Sequence, residues 1–344
     1  MALSDYVHTF GQWLLAKHGE RVHKIALDAG LTCPNRDGSK GVGGCTFCNN
    51  ASFSPNEPGM EAAVACSPML PSLEEDCTVP TLLPRKRLPG PLPDQLESGR
   101  CAIARRTRAK KYMAYFQAYT NTYAEVERLR ALYDEALAQG DVIGLSVGTR
   151  PDCVPPAVLD LLAEYRDQGL EVWLELGLQS AFDDTLARVN RGHGFREYVQ
   201  TCQAARRMGL PVCAHLIVGL PGEGDWHYRQ TLARVLGEGV EGLKLHPLHV
   251  VRHTQLANQW RRGEYTPMVM DDYLRIAADL IEYTPEDIIF HRVTGTSPRD
   301  VLLAPEWCQY KWIVLNGLEA TLRERGTRQG SRAHLLAQEL KHVA

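Results

Sequence analysis

The chain has 344 residues, 44% of them hydrophobic and 23% charged, the proportions of an ordinary globular protein with room for one large α/β domain or two smaller ones. A formal net charge of −3 excludes a broad electrostatic attraction to nucleic acid and leaves only local basic patches for such a role. No apolar run is long enough to span a bilayer, and MALSDYVHTFGQW lacks the basic start and apolar core of a signal peptide, so a cytoplasmic protein with no membrane partner is expected.

Residues 1–20 carry Tyr6, Phe10, Trp13 and Leu14 at helical spacing and predict an N-terminal helix that closes one end of a barrel. Val22 to Leu27 reads as the first strand, ending at Asp28 and running into CPNRDGSKGVGGCTFC. This loop holds Cys33, an eleven-residue gap, Cys45, a two-residue gap and Cys48. Three thiolates on one loop are a soft ligand set that suits zinc or an iron–sulfur cluster, and the spacing alone does not choose between them. Three cysteines rather than four would leave one cluster iron without a protein ligand, an open position where a small molecule can bind and react. Gly38, Gly41, Gly43 and Gly44 let the backbone fold tightly and bring its N–H groups toward the sulfurs. Phe47 sits where an aromatic face could cover a nucleoside or simply pack.

From Ser54 to Gly99 nine prolines forbid regular elements almost throughout, which predicts a long insertion or disordered loop over about 54–99. Cys66 and Cys77 fall in it and are not assigned as ligands. Cys202 and Cys213 lie in apolar patterns and read as reduced core residues. A basic segment, RCAIARRTRAKK, then leads into alternating strands and helices. Strands are predicted at Tyr112 to Gln117, Val142 to Val147, Glu171 to Leu176, Val212 to Val218, Gly242 to His246 and Asp287 to His291. Helices are predicted at Glu125 to Ala138, Pro156 to Asp167, Phe195 to Met208, Trp226 to Leu236 and Asp271 to Tyr283. Repeated βα units of this kind predict a parallel sheet closed into a full or partial barrel, with chemistry at the C-terminal ends of the strands.

The loops after those strands collect Asp28, the cysteines, Gln117 to Asn121, Thr149-Arg150-Pro151-Asp152, Gly177-Leu178-Gln179-Ser180, Gly219 to Glu223 and His246 to His249. They are far more polar and glycine-rich than the strands before them, as a ligand-binding rim is. LELGLQSAFDDTLARVNRGHG followed by AHLIVGLPGE, with VGTRPD before and KLHPLHVVRHTQL after, resembles the radical S-adenosylmethionine (SAM) enzymes, in the branch related to the elongator catalytic subunit. With the long first cysteine gap and KYMAYFQAYTNTY at Lys111 to Tyr123, the chain is most similar to a bacterial elongator-like family over about residues 20–330.

The resemblance implies a radical SAM barrel of about six βα units over 21–300, with a C-terminal helical extension over 301–344. It implies that Cys33, Cys45 and Cys48 hold three irons of a [4Fe-4S] cluster, and that the fourth takes the amino and carboxylate groups of SAM. Gln179 would contact the ribose, Arg191 would pair with the SAM carboxylate, and the backbone of Gly219 to Gly222 would pass near the adenine. His215 stands where porphyrinogen-oxidising relatives carry an acidic residue. The implied activity is reductive cleavage of SAM, with an electron donor such as flavodoxin or ferredoxin, to a 5′-deoxyadenosyl radical that abstracts hydrogen from a substrate. Elongator relatives modify the wobble uridine of tRNA. Their acetyltransferase domain has no room here, so acetyl-CoA chemistry is not expected.

Other readings remain at this stage. His215, His246, His249, His253 and His291 could form a metal-hydrolase set on a barrel rim. The same three cysteines could hold zinc in a non-catalytic RNA-binding protein, and a radical SAM enzyme could act on a small molecule or a protein instead. Arg100, Arg105, Arg106, Arg108, Lys110 and Lys111, with Arg206-Arg207, Arg261-Arg262 and the arginines of 323–332, are candidate phosphate contacts or solvated faces.

Overall fold

A computed structural model describes residues 2–52, 89–104, 107 and 109–336. Seven strands follow one another in a single sheet: β1 (Val22–Leu27), β2 (Lys111–Phe116), β3 (Val142–Thr149), β4 (Glu171–Gln179), β5 (Val212–Val218), β6 (Gly242–Pro247) and, after a short β7 (Val250–Val251), β8 (Ile289–Arg292). Every neighbouring pair in the order β1-β2-β3-β4-β5-β6-β8 is parallel. The sheet is curled: Lys24 Nζ of the first strand lies 3.0 Å from His291 Nδ1 of the last, across the space the strands enclose. A small antiparallel pair, β7 with β9 (Leu302–Ala304), flanks the rim.

Because side chains alternate along a strand, each strand serves two environments. One set, including Leu145, Leu174, Leu176, Leu216 and Leu243, packs under the helices Val126–Leu137, Pro156–Asp167, Phe195–Arg207, Asp225–Gly237 and Met270–Tyr283 in one continuous apolar core. The other set points into the lumen in layers. Val22, Met113, Trp173, Cys213 and Ile289 form an apolar floor sealed by Phe10 and Leu14. Above it stands a charged layer, and above that the cavity described below. Cys202 and Cys213 are fully buried thiols, as their apolar surroundings predict.

Two expectations need correction. The N-terminal stretch is not one helix but a 3-10 turn, Leu3–Asp5, followed by the helix Phe10–His18, which Thr9 caps at its start and Gly19, at φ 71°, ends. The break falls where the His8 carbonyl accepts the Phe290 N–H, joining this segment to the last barrel strand. Within the proline-rich stretch, Leu92–Ala104 is helical. Pro93 sits in the first turn, where its missing N–H has no intrahelical partner to lose. Gln95 on this helix accepts the Asp28 N–H at 2.8 Å and donates to the Asp28 carbonyl at 2.9 Å, fixing the end of β1 where the cysteine loop begins. Residues 54–88 of the expected insertion, with Cys66 and Cys77, lie outside the described residues.

Candidate active site

A cavity of about 230 Å³ opens at the C-terminal ends of the strands, and Cys33, Cys45 and Cys48 all line it. Their loop is held by its own turns. The Arg36 N–H donates to the Cys33 carbonyl at 2.8 Å, Gly44 N–H to the Asn35 carbonyl at 2.8 Å, and Cys48 N–H to the Cys45 carbonyl at 3.0 Å. Gly44 is needed twice over: its φ is 78°, and a Cβ would sit 2.9 Å from Arg36 Nε. A reciprocal amide clamp joins this loop to the one after β4, since Asn35 Nδ2 donates to the Asn190 carbonyl at 2.5 Å and Asn190 Nδ2 to the Gly44 carbonyl at 2.8 Å.

Guanidinium groups surround the thiols. Arg191 Nη1 lies 3.4 Å from Cys45 Sγ, Nη2 donates to the Gly177 carbonyl at 2.5 Å, and Nε is buried without a partner. Arg36 Nη2 donates to the Cys48 carbonyl at 2.6 Å. Burial pushes the Cys48 thiol up, and Arg36 draws it back. Arg150, almost wholly buried, donates to the Arg191 carbonyl at 2.8 Å and to both oxygens of Asp152. Asp152 also takes Lys40 of the cysteine loop at 2.7 Å. Burial alone would raise the Asp152 carboxyl, but Arg150 and Lys40 hold it well below the usual carboxylate range.

Gln179, the last residue of β4, also lines the cavity, at φ 81°. A side chain other than glycine in that region is strained, and such strain is retained where surrounding contacts demand it. Gly177 explains the crowding: a Cβ there would lie 2.8 Å from Arg191 Nη2 and 3.0 Å from Gln179 Nε2. The structure thus brings Cys33, Cys45, Cys48, Phe47, Gln179 and Arg191 to one cavity. Gly219 and Gly222 are outside its lining. Gly219 N–H donates to Tyr228 Oη and its carbonyl accepts from Tyr265 Oη, while a Cβ on Gly222 would meet Arg188 Nη1 at 2.5 Å. Both take a positive φ, 101° and 83°, so glycine there serves the turns of the loop beside the site.

Beneath the cavity lies a charged layer that the spacing of residues along the chain does not announce. Glu175, fully buried on β4, accepts from Lys24 at 2.5 Å, from Lys244, from His215 Nε2 at 2.8 Å and from Ser146 Oγ at 2.5 Å, with His291 Nδ1 at 3.4 Å. Lys244 also donates to Tyr115 Oη at 2.9 Å. Burial would raise Glu175, but the two lysines and the histidines hold it well below the carboxylate range. Burial draws Lys244 down to about 8 and His215 to about 4. The five rim histidines are not a metal set. His291 packs against Phe10 and, edge-on, against Trp173, and among the described residues no three His, Cys, Asp or Glu side chains form a group that could hold a single metal ion.

The basic spots change meaning as well. Arg100 is paired with Asp141 and Glu97, Lys111 with Glu20, Arg262 with Glu264, Arg323 with Glu319, and Arg325 with Asp279 and Glu282. Arg105, Arg106 and Arg108 lie outside the described residues.

A parallel half-barrel with three cysteines on the loop after its first strand defines a class of enzyme. Residues 33–235 match the model of the radical SAM superfamily and residues 240–324 that of its C-terminal domain. The chain belongs to this superfamily, whose enzymes bind a [4Fe-4S] cluster and SAM. It is similar to Protein YhcC of Escherichia coli (strain K12), at 47% identity over 331 residues and 96% of each chain. It is also 31% identical over 165 residues to the tRNA uridine(34) acetyltransferase of Dehalococcoides mccartyi, a match covering 47% of this chain and 35% of that one. Its fold is that of the archaeal Methanocaldococcus infernus Elp3, with a TM-score of 0.58 at 18% identity over 69% of this chain and 59% of the other. No described helix is long and apolar enough to cross a membrane.

Proposed function

We propose that Cys33, Cys45 and Cys48 hold the cluster by three of its irons and that Arg191 and Gln179 position SAM at the fourth. The observation that carries this reading is the convergence of those five side chains on one cavity at the C-terminal ends of the strands. The donor set fits: three soft thiols suit iron–sulfur ligation, and the buried, partnerless Nε of Arg191 leaves that guanidinium with capacity for a carboxylate. A structural zinc needs four ligands, and among the described residues none completes such a set. Bound together, the cluster and SAM supply one-electron reductive cleavage of SAM and hydrogen abstraction from a substrate.

The chain's own residues do the positioning. Arg150 carries the backbone of Arg191, Asp152 ties Arg150 to the cysteine loop through Lys40, and Phe47 offers an aromatic wall beside Leu220 and Leu248. Arg191→Ala is expected to weaken SAM binding by about 1.5 to 3 kcal/mol, the range for a hydrogen bond to a charged group, with iron content retained. Isothermal titration of the reconstituted protein checks it, and unchanged affinity would remove Arg191 from the SAM site.

We infer a tRNA substrate, modified at the wobble uridine, in a cytoplasmic enzyme that takes its electron from a donor such as flavodoxin or ferredoxin. The support is the resemblance to the uridine(34) enzyme above, not a basic face. Comparing modified nucleosides in tRNA from cells with and without the protein tests the inference. An unchanged nucleoside profile would redirect the search to small molecules or proteins. If the Arg100 to Lys111 segment touches RNA, replacing Arg105, Arg106 and Arg108 by Ala should flatten the salt dependence of tRNA binding by roughly 0.7 to 0.9 for each phosphate that is no longer neutralised. An unaltered slope excludes the segment from the RNA interface.

A further inference from the structure

Four arginines line the cavity, and three have partners. Arg36 is engaged with the Cys48 carbonyl, Arg150 with Asp152 and the Arg191 carbonyl, and Arg191 with Cys45 and Gly177. The side chain of Arg292, the last residue of β8, makes no hydrogen bond or ion pair with any described residue; its backbone belongs to the ladder with β6. The cavity lining contains no Asp or Glu to offset it. Glu175, in the lumen below, is already surrounded by Lys24, Lys244, His215, His291 and Ser146.

The flanking groups offer no negative charge either. His246 and His249, which line the cavity after β6, both feel the Arg292 charge. Burial, the larger influence, draws His249 down to about 4 and His246 well below the ordinary imidazole range, so both are neutral at pH 7. A guanidinium has five N–H donors and cannot shed its proton. When a substrate displaces water from the cavity, those donors go unmet unless the substrate brings acceptors, and leaving a buried charge unpaired is costly. Arg292 also stands apart from the proposed SAM anchor. Arg191 belongs to the loop after β4 and touches Cys45, whereas Arg292 is on the last strand of the sheet, beside Gly295 and Thr296.

We propose that Arg292, which lines the cavity together with His246 and His249, binds an oxyanion carried by the substrate, a phosphate or a carboxylate, and so holds the substrate in the cavity that takes SAM. This rests on the reading of that cavity as the place where substrate and SAM meet. A bidentate guanidinium–oxyanion pair gives orientation as well as affinity, which hydrogen abstraction from one carbon among several requires.

The test is a calorimetric titration with inorganic phosphate and with acetate of the wild-type protein, R292Q and R292K, each reconstituted with iron and sulfide and saturated with SAM. The wild type is expected to show a saturable oxyanion site that weakens at least tenfold in R292Q and less in R292K. Iron content, SAM affinity and the melting curve should match across the three, because Arg292 has no partner in the fold to lose. Equal oxyanion affinity in wild type and R292Q overturns the proposal. So does a loss of SAM affinity in R292Q, which would assign the guanidinium to the SAM carboxylate.

Repeating the titration on protein without iron or SAM separates this inference from the reading beneath it. An Arg292-dependent oxyanion site in a chain that never takes up iron would uphold the site while the cluster assignment fails. Unmodified tRNA and uridine 5′-monophosphate, added as competitors, identify the source. Displacement of phosphate by both marks a nucleotide phosphate, and displacement by neither marks a small acid, the site standing in each case.

Discussion

Glu175→Gln is expected to lower the stability of the fold by about 3 to 5 kcal/mol, the cost of removing one partner from a buried ion pair. The carboxylate is the only negative group in contact with both Lys24 and Lys244 among the described residues, and all three are buried or nearly so. The loss has a pH signature. In the native protein burial draws Lys244 down to about 8 while Glu175 holds it up; without the carboxylate Lys244 gives up its proton at still lower pH. Unfolded lysine keeps its proton to about 10.4, so the unfolded state binds more protons over this window and stability rises with pH. The deficit of the variant relative to wild type should therefore be largest just above the range where an unfolded carboxyl titrates, about pH 5, shrink in acid as the depressed Glu175 loses its advantage, and shrink also as pH climbs toward about 8, with the two chains gaining in parallel above that. Urea midpoints at several pH values measure it. Removing one ammonium as well, in Glu175→Gln/Lys244→Met, should recover part of the loss, the mark of direct coupling. A pH-independent deficit, or a double variant no better than the single, would show that the lumen layer does not act as a charge network.

The second large effect concerns iron. Cys33→Ala, Cys45→Ala or Cys48→Ala is each expected to abolish cluster assembly, since two thiolates on this loop leave an additional iron without a protein ligand. Cys66→Ala and Cys77→Ala should retain full iron, because those residues fall outside the motif. Cys202 and Cys213 are sealed in the core and far from the loop in the fold's layering, so their replacement should affect stability rather than iron. Iron and sulfide analysis of the reconstituted variants decides the matter, and full iron in Cys45→Ala would remove the assignment.

The motif loop could be found in one dimension because its meaning lies in residue type and spacing, whereas Gln179 and Arg191 are singled out only by the resemblance. Residue type and spacing also mark β1, β5 and the helix Pro156–Asp167, which are bounded at both ends by polar residues, proline or glycine. The lumen layer could not be found that way. Lys24, Ser146, Glu175, His215, Lys244 and His291 stand on six different strands, and each alone looks like a polar interruption of an apolar run. Only the curl of the sheet brings Lys24 to Glu175, 151 residues away in sequence. The helix Leu92–Ala104 was hidden by the prolines before it, although Pro93 is compatible with a first turn. Arg100 looked like part of an open basic cluster until Asp141, 41 residues on, closed against it. Nothing in the sequence distinguishes Arg292 from any other arginine at a strand end; only the fold turns it to a cavity whose lining lacks any carboxylate.

The central claim is that this cavity holds a redox-active cluster at Cys33, Cys45 and Cys48 which cleaves SAM. Its most direct test is 5′-deoxyadenosine formation by the anaerobically purified, dithionite-reduced protein supplied with SAM, beside the Cys45→Ala variant. The wild type should be brown, carry iron and sulfide, and release 5′-deoxyadenosine, while Cys45→Ala should be colourless and release none. A colourless, zinc-loaded wild type, or equal product from both proteins, would contradict the account.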